Sequence, residues 1–112
     1  GVAAASADPF DRLGPGETRV WHGDAPMSVL TRLAGWAFML PGERGMRADE
    51  RFRWLCGDDD LSYRARLSGG IVHVGGYPVQ NTGADTSTRG VLAEQGARDM
   101  QMFVDVHGRR PW

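Results

Sequence analysis

His22, His73 and His107 stand far apart in the chain. Zinc sites legible from sequence pair histidines or cysteines a few residues apart, often with an acidic neighbour. That spacing does not occur here, so a metal site would need all three imidazoles to converge through folding, and none is expected. Asp58, Asp59 and Asp60 form an acidic run. A calcium loop spaces its oxygen ligands and closes on Glu, so the run reads as a solvated turn. Cys56 would act as a nucleophile beside His73 only with a depressed thiol pKa. Free cysteine is among the most buried residue types, which places Cys56 in the core beside Trp54. The stretch GGIVHVGG has glycines on both sides of a strand but lacks the spacing of a phosphate-cradling loop, and the chain contains no lysine for a P-loop. No Gly-x-Ser-x-Gly elbow is present. Catalytic residues and cofactors are therefore not expected. Arg51, Arg53, Arg64 and Arg66 remain, and their guanidinium forks would suit phosphate if one face carried all four.

The elements that would position these residues follow from periodicity. ETRVWHG predicts a strand over 17–22. APMSVLTRLAGWA places Met27, Leu30, Leu33 and Ala34 at helical spacing after Asp24 and Pro26, predicting a helix over 25–37. RFRWLC and LSYRARL each alternate around GDDD, which predicts a hairpin over 51–67. Its apolar face would carry Phe52, Trp54 and Cys56, and its other face the four arginines. IVHVGGYPV reads as a further strand. ADTSTRGVLAEQGARDM reads as a second helix capped by Thr86 or Ser87. QMFVDVHGRRPW reads as a closing strand with Met102, Val104 and Val106 on one side.

Residues 1–16 show small side chains, two prolines and no apolar periodicity, and are expected to form a flexible leader before a single domain over 17–112. The expected class is α+β: one small domain with two helices packed on small antiparallel or mixed sheets. At 112 residues the chain supports one modest core. Thirteen arginines against 14 acidic residues give a net charge of −1, which argues against a global attraction for nucleic acid. One cysteine excludes an internal disulfide, and no stretch has the roughly 20 apolar residues that span a bilayer.

RVWHGDAPMSVLTRLA resembles the start of the globular domain of DotD-type lipoproteins of type IVB secretion and conjugation systems, where a strand ending in Trp-x-Gly leads into a helix. DTSTRGVLAEQGARDMQMFVDVHGR is similar to the second helix and following strand of that domain, and equally to the short N-terminal domains of secretins and TonB-dependent receptors. The Arg-lined segment between them is longer than the family pattern. The family's lipid-bearing cysteine is absent from these residues. The resemblance implies a periplasmic protein, with a lipid anchor to the outer membrane attached upstream of Gly1 as one arrangement. It also implies assembly with a secretin-like outer-membrane ring, or with copies of itself, rather than catalysis.

The expected function is thus a non-enzymatic assembly component of an envelope secretion or conjugation complex, with no small-molecule substrate. Phe103, Asp105 and His107, on one side of the closing strand at a sheet edge, are its expected partner contacts. Trp112 either joins them or folds back onto its own domain. The alternative is an anion- or nucleic-acid-binding module that uses Arg51, Arg53, Arg64 and Arg66.

Overall fold

A computed structural model describes residues 1–79 and 91–112. Among these residues four strands form one mixed sheet: β1 (Ala4–Ala7), β2 (Thr18–Trp21), β3 (Phe38–Met39) and β4 (Ile71–Val74). Their order across the sheet is β2-β4-β1-β3. β1 and β4 run parallel, and β2 and β3 flank them antiparallel. Among the described residues two helices complete the fold, α1 (Gly57–Leu67) and α2 (Val91–His107). The class is α+β in a single small domain, and the strands expected over 17–22 and from residue 71 are present.

The stretch expected to be a leader instead supplies β1, one of the two inner strands. Ala4 and Ala7 are buried, and Ala3, Ala4, Leu33, Ala65 and Ile71 form the core cluster. Small side chains are what an inner strand needs where a helix packs closely on it. They also leave no periodic apolar signal to read.

The helix expected over 25–37 is reduced to a 3-10 turn, Val29–Thr31. Side-chain hydroxyls explain the loss. Ser28 accepts the Leu30 N–H, Ser62 Oγ accepts the Leu33 N–H at 2.9 Å, and Ser6 Oγ accepts the Ala34 N–H at 3.1 Å. The Leu33 and Ala34 amides, which would have continued a helix, are thus committed to α1 and β1.

The hairpin expected over 51–67 is absent: residues 57–67 are helical. Leu61 and Ala65 satisfy helical spacing as well as alternation, and in seven residues the two periods are hard to separate. The acidic run is the helix's first turn, where negative charge meets the N-terminal end of the dipole. Asp59 and Asp60 are buried there, contrary to the solvated turn expected. Cys56 is buried as expected and occupies the left-handed region at φ 65°, whereas Trp54, expected in the core, is 43% exposed.

The closing strand is also absent, because α2 runs on through His107. Over residues 92–107 Gly96, Asp99 and Phe103 are its buried positions, at helical spacing. Gly108, at φ 71°, ends the helix by donating its N–H to the Val104 carbonyl at 2.8 Å. The Thr86 or Ser87 cap expected for this helix lies outside the described residues.

Candidate functional site

The four arginines expected on one face are dispersed by the folding of 57–67 into α1. Arg51 is exposed and pairs with Asp49 at 2.6 Å. Arg53 is exposed, and its backbone N–H binds Asp99. Arg64 pairs with Asp60 at 2.8 Å. Arg66 is buried and donates to the carbonyl oxygens of His22, Ala25 and Pro26, so it organises the loop before the 3-10 turn and is withdrawn from any ligand. No shared anion-binding face results.

The residues expected at a partner-binding strand edge fare similarly. Phe103 is fully buried against Phe52 and Tyr63. His107 places Nε2 at 2.7 Å from Asp60 Oδ1 and stacks edgewise on Tyr63, joining the end of α2 to the start of α1. Asp105 is exposed and accepts a hydrogen bond from Gln101. Trp112 folds back so that its ring lies 5.3 Å from the Arg32 guanidinium carbon, although 46% of the residue stays exposed. Helical geometry turns Phe103 and His107 inward and Asp105 outward, so they do not form a common surface.

A different edge is available at β2. All four of its residues are exposed or half-buried, and among the described residues no strand pairs with its outer side. The Glu17 carbonyl accepts the Gly75 N–H at 2.8 Å. In an antiparallel ladder bonded and non-bonded pairs alternate. With Thr18 opposite Val74 and Val20 opposite Val72, Arg19 and Trp21 therefore exchange bonds with β4. The N–H and C=O groups of Thr18 and Val20 are directed to the open side.

Behind β2, the core face of the sheet is held by a polar cluster. Trp21 Nε1 donates to His73 Nδ1 at 3.1 Å, and His73 Nε2 lies 2.7 Å from the Arg32 carbonyl. Indole N–H only donates and a carbonyl only accepts, so His73 is neutral with its proton on Nε2. Burial pushes its pKa down, outweighing the Arg32 carbonyl and the Asp8 charge, which favour the cation. Arg12 reaches Asp8 at 3.1 Å and the Leu30 carbonyl at 2.7 Å. Burial tends to raise Asp8, but the backbone N–H groups of Leu13, Phe10 and Arg12 together with the Arg12 side chain hold it below the usual range.

A second ion pair ties the 3-10 turn region to α1, with Arg32 Nη1 at 2.6 Å from Asp59 Oδ1. Burial and the adjacent Asp58 charge push Asp59 up to about 6, against the pull of Arg32. Arg32 is instead held more firmly charged: burial opposes this, but the Asp59 charge prevails. The asymmetry follows exposure, since the Arg32 side chain is 32% exposed and that of Asp59 only 3%. Cys56, buried near Asp59, Asp58 and Asp99, is pushed up to about 12 and remains a thiol at neutral pH.

Asp8, Arg12, Arg32, Asp59 and Asp99 were not singled out from the sequence, apart from Asp59 within its acidic run. Asp8 before Pro9 is a turn signal of the kind that gathers backbone amides. Asp99 carries no such signal. It sits inside a helix and accepts the N–H groups of Arg53, Trp54 and Leu55, which are distant in sequence.

No protein-family model, curated protein or solved structure matches this chain.

Proposed function

We propose that this chain is a non-enzymatic protein-interaction module that assembles by accepting an extended segment of another chain along β2. The observation carrying this reading is the open side of β2, where the backbone groups of Thr18 and Val20 point outward at the end of a supported sheet. Strand addition draws affinity from such groups and selectivity from alternate side chains. Here the flanking side chains are Val20, 41% exposed, and Arg19, whose guanidinium stands 5.7 Å from the Trp21 ring. The groups best suited to chemistry are already engaged in the fold: Asp99 in backbone capping, His73 between a carbonyl and an indole, Cys56 as a buried thiol.

The partner class comes from the resemblance to DotD-type lipoproteins. It supports a secretin-like outer-membrane ring subunit, or another copy of this chain, in the periplasm as part of a secretion or conjugation complex. That support is narrower than the two stretches suggested, because RVWHGDAPMSVLTRLA forms a strand and a 3-10 turn rather than a strand and a helix, and the second stretch continues as helix through His107 with no strand after it.

Val20→Pro tests the reading. It removes an outward N–H without deleting a bond to β4, and proline is tolerated on an edge strand in that position. The variant should keep its melting temperature within a few degrees of the parent and lose co-purification with the ring complex and with tagged copies of itself. A folded variant that still co-purifies with both would remove β2 as the contact.

A further inference from the structure

His73 ties the edge strand to the inside of the sheet. It stands opposite Arg19 in the ladder between β2 and β4, and Trp21 lies two residues further along β2. Alternation puts Arg19, Trp21 and His73 on one face, so the indole reaches the imidazole diagonally across the two strands. Their rings meet edgewise with centroids 6.2 Å apart, and the bond from Trp21 Nε1 to His73 Nδ1 adds a side-chain tie at the Trp21 end of β2.

The groups facing this imidazole leave no acceptor for a proton on Nδ1. Two donors approach that nitrogen: the indole N–H, which cannot accept, and Arg12 Nη2 at 3.5 Å. The guanidinium carbons of Arg12, from the turn after β1, and of Arg19, from β2, stand 6.0 and 5.7 Å from the Trp21 ring. Asp8 is the neighbouring carboxylate, but the N–H groups of Phe10, Arg12 and Leu13 and the Arg12 side chain already occupy it. The segment after the 3-10 turn presents the Arg32 carbonyl, taken by Nε2, and the Arg32 charge is paired with Asp59. His73 is fully buried, so water does not reach Nδ1 while the cluster is closed. A proton there sets N–H against N–H and adds a cation beside Arg12 and Arg19. Trp21 is the half-buried member of the pair and lies on the edge strand, so the indole is the group that yields.

We propose that His73 is an acid-operated catch on the β2 edge: a proton on Nδ1 expels the Trp21 indole from the core face and frees the Trp21 end of β2 from β4. Acid thereby withdraws the edge from a partner strand. That consequence rests on the reading of β2 as the contact, whereas the release itself is read in the chain alone. Release falls below pH 6.5, because burial, and then the charges of Arg12 and Arg19, hold His73 below its ordinary value.

The test follows the indole and amide N–H groups of the whole chain by NMR from about pH 7.5 to about pH 4.5, a range that brackets histidine titration. The Trp21 indole resonance, assigned by its loss in Trp21→Phe, should move with the same midpoint as the His73 ring. Below that midpoint the Arg19 and Trp21 amides, corrected for the intrinsic effect of pH, should exchange with solvent about tenfold faster or more, while β1 keeps its protection. His73→Gln should abolish both changes. Trp21→Phe keeps the bulk of the ring and removes a donor that favours neutral imidazole, so it should raise the His73 midpoint. The co-purification that Val20→Pro abolishes should fall about tenfold between about pH 7.5 and about pH 5 in the parent and hold in His73→Gln.

A His73 that does not titrate in the folded chain, or that titrates while the indole and the two amides stay unchanged, overturns the proposal. So does an indole shift that survives in His73→Gln, which would assign it to another acidic group such as Asp59. Loss of protection throughout the sheet at one pH overturns it in favour of acid unfolding. If His73→Gln does not fold, an unraised His73 midpoint in Trp21→Phe overturns it instead. If Val20→Pro abolishes assembly while the indole and amides ignore pH, the catch fails and strand addition stands. If they respond while Val20→Pro changes nothing, the catch stands and β2 falls as the contact.

Discussion

His73 and His107 are both withdrawn from solvent, one in the sheet and the other at the end of α2, and they are held by opposite means. His73 sits between the Trp21 indole and the Arg32 carbonyl, which fix one tautomer, and Arg12 Nη2 stands 3.5 Å from the same Nδ1 that Trp21 reaches. His107 faces the buried Asp60 carboxylate, which also receives Arg64. The difference extends to the surroundings. Around β1 the strand itself contributes alanines and a serine, with Leu33 and Ile71 completing the core cluster, and the Ser6 and Ser62 hydroxyls bind backbone amides, so close approach of chain segments holds the region together. Between α1 and α2 the core is made of one large ring, Phe103, with Phe52, Tyr63 and His107 around it, and carboxylates secure its margin. A sheet interior sets its spacing through the backbone, whereas two helices are kept apart by side chains and need bulk and charge to fix their separation.

The largest expected effect strikes the helix side. Phe103→Ala should lower stability by about 4 kcal/mol, read as a shift in the urea midpoint, because it opens a cavity no neighbouring small residue can fill. β1 offers no counterpart, since its buried positions are already alanine or serine. A loss under about 1 kcal/mol would mean that α2 packs less tightly than its geometry indicates.

The comparison sharpens with pH, because one buried titratable group on the sheet side and one at the start of α1 act with opposite sign. His73 has a folded pKa below its ordinary value of 6.5, so the unfolded chain binds more protons and stability is lost as pH falls through that region. Asp59 is raised from 3.8 to about 6, so the folded chain binds more protons and stability is lost as pH rises between those values, by at most about 3 kcal/mol. The two slopes have opposite sign: that of His73 lies on the acid side of 6.5, and that of Asp59 fills the window from about pH 4 to 6. His73→Gln should leave a stability that falls with rising pH across that window. Asp59→Asn should leave one that rises. Denaturant midpoints measured at half-unit intervals decide the matter, and parallel slopes in the two variants would contradict the contrast.

The smallest effect is expected at Arg51. Its ion pair with Asp49 is exposed to solvent, and such pairs contribute little. Arg51→Ala should leave the melting temperature unchanged. A measurable drop would show that the 49–55 segment depends on charge as the margin of the α1–α2 core does.

Local sequence was sufficient for β2 and β4, where Val, Ile and Trp alternate or cluster between glycines, and for the α+β class. The burial of Cys56 was legible from residue type. Composition and charge also set the scale of one modest core. Over 25–37, 51–67 and 101–107 two backbone conformations satisfied the same local pattern and distant partners chose between them, whereas over 1–16 the small side chains of β1 left no period to read. LSYRARL alternates like a strand, yet Leu61 and Ala65 pack helically because Ser62 and Asp59 on the same helix have partners in the 32–33 segment. APMSVLTRLAGWA has helical spacing, yet Ser6 and Ser62 take its amides. QMFVDVHG alternates, although the Gly just after His107 was a stop signal for a helix already under way. The candidate site was less legible still. An open edge at β2 depends on which strand pairs beside β4, and the cluster around His73 depends on bringing residues 12, 21 and 32 against β4. Hydrogen bonds and burial between residues dozens of positions apart carry no periodicity along the chain, so only the tertiary structure could decide them.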